Sequence, residues 1–330
     1  MSTAVGLDLG KSSIKHVTAI SQGEVPALLS TGRIVNVMGA GNGNGAVRYK
    51  GHDYIVGREA VLGTGFSWSA TEDKDDTRNL IFALSVIGSQ GITNADVVVG
   101  LPVSQANSPA IVNRVKALLG GRHEVVVGDR SLAIEITVSV VAEPLGTYFS
   151  LIIAPDGRMI GSSPYLAELV GIVDVGYRTV DVVALDGGSL ATTRDSTLSG
   201  VAMLFDQLCK LLEADHGKLR PNEITKVHTW LIGGCQELLT IAGKAVRADL
   251  PAEVARLKTD LAGRILDEVG SLLSAVRPNK LIVTGGGAAL LRAELLRIKP
   301  ELTFHPQPRM ANAIGFYRAC VSKRNGNHGP

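Results

Sequence analysis

Ala4-Val5-Gly6-Leu7-Asp8-Leu9-Gly10-Lys11-Ser12-Ser13-Ile14-Lys15-His16-Val17-Thr18-Ala19 reads as a strand, a tight turn and a second strand. An apolar run enters Asp8, Gly10 opens the bend, and apolar alternation resumes through Ile14 and Val17. An acid and a glycine at such a bend aim backbone N–H groups and hydroxyls into a pocket that suits phosphate. The phrase returns as Asp174-Val175-Gly176-Tyr177-Arg178-Thr179-Val180, where Asp8 meets Asp174, Gly10 meets Gly176 and Ser13 meets Thr179. One Asp-x-Gly is a weak sign, because acids and glycines crowd turns. Two copies, each between an apolar strand and a β-type run, point to two hairpins facing one another across a cleft that grips a nucleotide. Two unrelated surface hairpins are the plain alternative.

Lys11 and Ser12 after Gly10 invite comparison with the phosphate loop of many nucleotide hydrolases, and spacing excludes it. That loop has four residues between its glycines and runs into a helix. Gly6 and Gly10 enclose three, and Ile14 to Ala19 continues as strand.

Composition sets the frame. The 330 residues are 45% hydrophobic and 19% charged, which suits two domains with large cores. Aromatics make up 4% against 38 glycines, as an α/β chain with many tight turns requires. A formal charge of +2, from 33 basic and 31 acidic residues, argues against broad electrostatic binding of nucleic acid. Cys209, Cys235 and Cys320 are scattered without metal spacing and read as reduced, cytoplasmic thiols. No pair of histidines has zinc spacing, and no Gly-x-Ser-x-Gly elbow is present. No apolar run approaches membrane-spanning length, and Met1-Ser2-Thr3 lacks a basic start, so neither a membrane span nor a signal peptide is expected.

Along the chain, Gly39 to Gly45 reads as a flexible surface loop and Val47 to Val56 as a hairpin with Gly51-His52-Asp53 at its turn. Thr71 to Arg78 is charged and expected to be exposed; Leu80 to Ile87 resembles a buried helix. Ala95 to Val103 is a core strand, and Ser108-Pro109 starts a helix that Gly120-Gly121 stop. Glu143-Pro144 opens another helix after a strand. The loop from Asp156 to Pro164 marks a domain boundary, giving 1–164 and 165–310. Gly200 precedes a helix; Thr229 to Gly234 reads as a short strand or turn. Val254 to Val276 is the longest amphipathic helix, and the tail from Lys323 to Pro330 reads as frayed.

Two further motifs carry chemistry. Val283-Thr284-Gly285-Gly286-Gly287 joins a strand to a helix and lets backbone press flat on a purine or ribose, although such turns also occur without ligands. Glu143 stands where a strand meets a helix. It suits the helix N-terminus, or, with facing hairpins, a water aimed at a γ-phosphate.

In order, Asp8-Leu9-Gly10, Glu143-Pro144-x-Gly146, Asp174-Val175-Gly176, Val283 to Gly287 and Asn312-Ala313-Ile314-Gly315-Phe316 resemble the five motifs of the actin-like ATPase superfamily: phosphate 1, connect 1, phosphate 2, adenosine and connect 2. The set spans nearly the whole chain. Its length and its ending look most like bacterial and archaeal actin-like filament proteins of the ParM/StbA type, which segregate plasmids. That resemblance implies an α/β, actin-like (ribonuclease H-like) two-domain fold, with mixed β-sheets flanked by helices and the nucleotide in the interdomain cleft. It returns 311–330 to the first domain. It implies ATP, with GTP as the alternative, and Mg²⁺ served by Asp8 and Asp174. Gly10, Ser12, Ser13 and Gly176 would contact phosphate, with Lys11 a departure in character that reaches phosphate or solvent. Glu143 would position water, and Gly285, Gly286 and Gly287 would line the adenosine. Asp206, Gln207 and Lys210, on the helix after Gly200, are the weaker candidates for ribose or base.

The resemblance further implies a filament-forming ATPase that segregates plasmid DNA. Its partners would be other copies of itself and a DNA-binding adaptor, with no direct contact to nucleic acid or membrane. A small-molecule kinase and a non-polymerising, chaperone-type module of the same superfamily are the alternatives. A kinase is usually longer. A chaperone would carry a substrate domain after connect 2, where this chain has only about one short helix.

Overall fold

A computed structural model of the protein describes residues 2–32, 45–62, 64–68, 74, 76–195 and 200–326. The glycine-rich stretch 39–44 and the last residues of the tail, 327–330, lie outside them. Strands β1 (Thr3–Leu9), β2 (Ser13–Val17), β3 (Gln22–Pro26), β4 (Leu28–Thr31), β5 (Ala46–Tyr49), β6 (His52–Val56), β7 (Thr64–Trp68), β8 (Asn94–Leu101), β9 (Gly121–Val127) and β10 (Arg130–Ala142) share one sheet. Its order is β3-β2-β1-β8-β10-β9-β5-β6-β4-β7. A second sheet holds β11 (Leu169–Val175), β12 (Val180–Asp186) and β13 (Ser189–Asp195). After a small hairpin of β14 (Thr240–Ile241) with β15 (Lys244–Ala245), β16 (Lys280–Thr284) and β17 (Thr303–Phe304) complete it in the order β13-β12-β11-β16-β17.

The two sheets repeat one local plan. β1 pairs antiparallel with β2 and parallel with β8; β11 pairs antiparallel with β12 and parallel with β16. The central strands are near-continuous apolar runs because helices cover both faces. Asp8 and Asp174 sit near the C-terminal ends of β1 and β11, the usual end for ligands in open α/β sheets.

Helices α1 (Thr77–Ser89), α2 (Val103–Ala106) and α3 (Pro109–Leu119) belong with the first sheet, and α1 packs Phe82 and Leu84 into a core with Leu7, Val97 and Ile134. α4 (Glu143–Ile152) carries the chain toward the second sheet, where Tyr148 and Ile152 meet Ile172 and Val183. α5 (Ala202–His216), α6 (Pro221–Ile232) and α7 (Leu250–Leu272) surround a core of Val173, Val182, Leu208 and Ile265. α8 (Gly286–Leu290) and α9 (Arg292–Ile298) follow β16, and α10 (Ala311–Arg324) returns to pack on β1, β8 and α4. Where α4 crosses α10, backbone meets backbone: a Cβ on Gly315 would stand 1.6 Å from the Gly146 carbonyl oxygen.

Three expectations are corrected. Thr229 to Ile232 is not a strand but the end of α6, whose Val227, Trp230 and Leu231 are buried, and Gly233-Gly234 make the turn that follows it. Its start is fixed by Pro221 in the first turn and by Glu223, whose Oε2 accepts the Arg220 N–H at 2.9 Å. The β5–β6 bend lies at Lys50-Gly51, both at positive φ (49° and 79°), so His52 already belongs to β6. Finally, Lys74, within the charged stretch expected to be exposed, is buried, because an internal carboxylate receives it.

Candidate nucleotide site

The cleft between the two hairpins is an open pocket of about 960 Å³, the solvent space at its mouth included. The first hairpin brings Asp8, Gly10, Lys11, Ser12 and Ser13 to it; the second brings Asp174 and Gly176. Glu143 enters from the start of α4, and Gly285, Gly286 and Gly287 from the β16–α8 turn. Asp206, Gln207 and Lys210 do not line it; they lie exposed on α5, whose end contributes Val201 and Phe205 instead.

The first hairpin's register sets its charges. Asp8 stands opposite Lys15, and the Lys15 Nζ donates to Asp8 Oδ2 at 3.1 Å, with both residues buried. Burial alone would lower the Lys15 amine; the carboxylates of Asp8, Glu24 and Asp174 outweigh it and hold it above its ordinary value. Glu24, on β3, is gripped by Arg309 at 2.5 and 3.2 Å. Burial works against its charge, but Arg309 and Ser13 keep the carboxyl below its usual range.

Glu143 has its own cation. Lys74 Nζ lies 2.9 Å from Glu143 Oε1 and also donates to the Leu9 carbonyl at the end of β1. The backbone oxygen of Lys74 is held by buried Asn79 at 3.1 Å. Asp174 is treated differently. Asn312, at the start of α10, donates to Asp174 Oδ2 at 2.6 Å, and its own Oδ1 accepts from the Thr147 N–H and hydroxyl at 3.1 and 2.8 Å. Burial first, and then the Glu143 charge, push the Asp174 carboxyl up to about 7. Gly285 makes this crowding possible: its φ is +96°, and a Cβ there would stand 2.3 Å from Asp174 Oδ1.

Asp8, Glu143 and Asp174 therefore share the cleft; Lys15 pairs with Asp8 and Lys74 with Glu143, neither ion pair goes to Asp174, and Lys11, Arg178 and the Arg309–Glu24 pair also line it. Among the described residues no three His, Cys, Asp or Glu side chains gather as a metal-ligand set. Magnesium needs less, since it keeps its waters and is commonly held by one or two carboxylates together with substrate phosphates. Asp8 and Asp174 fit that demand.

Tyr177, Phe205 and His228 form the less polar side. Their ring centroids are 5.3 to 6.3 Å apart, with His228 edge-on to Phe205. Burial drives the His228 imidazole down to about 4, with Arg309 adding to the effect, so the ring is neutral.

Reading the sequence did not find Lys15, Lys74, Glu24 or Arg309, and quoted Asn312 only as part of a motif. Strand alternation was a usable signal for Lys15, since a residue paired with Asp8 lies on the same face. Nothing local marks Lys74, because its partner lies far along the chain.

A family model described as the N-terminal domain of actin-like proteins matches residues 6–146, and one described as the C-terminal domain of MreB-like archaeal actin homologues matches residues 172–297. No curated protein sequence matches the chain. Among solved structures, the archaeal actin homologue Ta0583 in complex with ADP is similar over 98% of this chain and 100% of its own, with a TM-score of 0.75 at 20% identity. A 15-stranded ParM filament from Clostridium botulinum is similar over 97% and 99%, with a TM-score of 0.73 at 18% identity. The actin-like protein Alp7A is similar over 99% and 98%, at 0.75 and 12%. At such identities these structures speak for the fold. With an actin-like family model on each side of the cleft and the same architecture from end to end, the chain belongs to the actin-like protein superfamily.

Proposed function

We propose that the protein is a Mg²⁺-dependent ATPase, with GTP as the alternative nucleotide, whose polymer assembles with the triphosphate and weakens after hydrolysis. The observation that carries this reading is that two phosphate-type turns face one cleft with Glu143 beside them, and that neither lysine ion pair there goes to Asp174. Phosphoryl transfer needs little beyond alignment, charge neutralisation and a placed water, and bound Mg²⁺ would supply part of that neutralisation. The Gly10–Ser13 turn and Gly176 present backbone donors and hydroxyls to the phosphates, with Lys11 and Lys15 at hand as cations. Glu143 orients the attacking water, and Lys74, 2.9 Å away, holds its carboxylate in place. Gly285 to Gly287 give a flat seat to the nucleoside. The two lobes are drawn at 1–164 with 311–330, and at 165–310. Loss of the γ-phosphate frees both hairpins at once, which biases the cleft open.

The similarity to a ParM filament supports self-assembly, and the similarity to an ADP complex supports nucleotide binding. We further propose that the polymer moves plasmid DNA through a DNA-binding adaptor, in the cytoplasm; among the described residues no helix is long and apolar enough to cross a membrane. Light scattering tests the reading. With ATP and Mg²⁺ it should rise above a critical protein concentration and decay as phosphate is released. ADP production that requires an added small hydroxylated acceptor, with flat scattering, would make the protein a kinase instead.

A further inference from the structure

Beyond the phosphate-facing compartment the cleft widens into a second cavity with about 1920 Å³ of empty space. Ser12, Ser13, His228, Ile232 and the Glu24–Arg309 ion pair line both and mark the partition. One wall comes from Leu28 of β4 and from the single helical turn after β6, with Arg58 and Val61. The other comes from α6 and the loop after it, with Lys226, Trp230, Ile232 and Leu238.

This cavity holds apolar side chains in water. Leu238 is 76% exposed and Ile232 42% exposed, and both face it. Leu238 is not free to turn away, because its loop is tied down. Trp230 Nε1 donates to the Glu237 carbonyl at 2.7 Å, and the Val246 N–H to the Leu239 carbonyl at 3.1 Å. Taking a leucine side chain out of water is favourable, and an apolar occupant would supply that burial. Arg58 and Lys226 project from opposite walls, and among the described residues neither has an acid within ion-pair distance. Arg309 is committed to Glu24, His228 is neutral, and Glu237 is the remaining acid of the lining, one carboxylate against two cations.

We propose that this outer cavity binds a small organic anion with an apolar body. The charge sits between Arg58 and Lys226, and the body lies on Ile232, Leu238 and the edge of Trp230. The occupant touches both walls and so favours the closed cleft. This site is independent of the nucleotide reading.

The probe is 8-anilinonaphthalene-1-sulfonate, a two-ring apolar body with one fixed negative charge. It is titrated into the full chain carrying Trp68→Phe, which leaves Trp230 as the single tryptophan. Binding should saturate at one probe per chain and quench Trp230 emission. Arg58→Glu with Lys226→Glu should weaken it by roughly tenfold or more, as should Leu238→Asp. All three positions are exposed, so the melting temperature should stay where it was. Ile20→Ser, at the 86% exposed tip between β2 and β3, should leave binding unchanged. Probe binding indifferent to the charge and Leu238 variants, or lost with Ile20→Ser, overturns the proposal. So does stoichiometric displacement by ATP, which would put the probe in the inner compartment.

Discussion

His228 shows how one residue records its surroundings. Its neighbours Tyr177 and Phe205 strip it of water, and its imidazole falls from an ordinary 6.5 to about 4. The folded protein thus keeps the ring neutral while the unfolded chain takes a proton below about pH 6.5, so the unfolded state binds more protons in the window between. Stability should therefore fall as pH drops from about 6.5 toward 4 and stop changing on this account below that. The full contribution is on the order of 3 kcal/mol. Urea denaturation of the wild type and of His228→Gln at pH 7.5, 6, 5 and 4 checks this. The variant should lose that part of the slope, and identical slopes would mean that the ring is as solvated folded as unfolded. Asp8 and Asp174 were legible at this scale because a turn needs its acid and glycine side by side in sequence. Lys74 was not, since a charged residue in a charged stretch reads as surface until its partner, Glu143, is known.

Among the elements, α4 and α10 decide how the site is held. The strands were legible, because apolar runs broken by Gly, Asp and Pro leave few other readings. α6 was not; the run Trp230-Leu231-Ile232 resembles a strand unless Val227 is counted with it at helical spacing. What no pattern revealed was the crossing of α4 and α10. Gly146 and Gly315 meet main chain to main chain, while Asn312 on α10 spans from Thr147 on α4 to Asp174 on β11. A methyl group at 315 has no room, so Gly315→Ala should separate the helices and loosen Asn312. The expected loss is about 2–4 kcal/mol, read as a lower urea midpoint with little change in slope. A midpoint within experimental error of the wild type would show that the crossing yields freely.

For the whole molecule, the ordered set of motifs along the chain was enough to name the architecture. The charge balance of the cleft was not, because it depends on residues brought together from β2, the segment before α1, α4 and α10. The proposed cycle separates binding from hydrolysis. Glu143→Ala should lower the phosphate-release rate by roughly 10²-fold or more while nucleotide still binds, and polymers formed with ATP should persist longer. A normal release rate would remove Glu143 from the water-positioning role, and unchanged polymer lifetime would uncouple hydrolysis from disassembly.

The tight seat of α4 against α10 has a mechanical corollary. Those two helices are the places where the chain passes between the sheets, and with main chain against main chain at Gly146 and Gly315 they would act like the pin of a pair of scissors. The blades can swing about that pin but cannot slide past one another. A change of a few ångströms at the phosphates would therefore become a wider, directed sweep at the far tips.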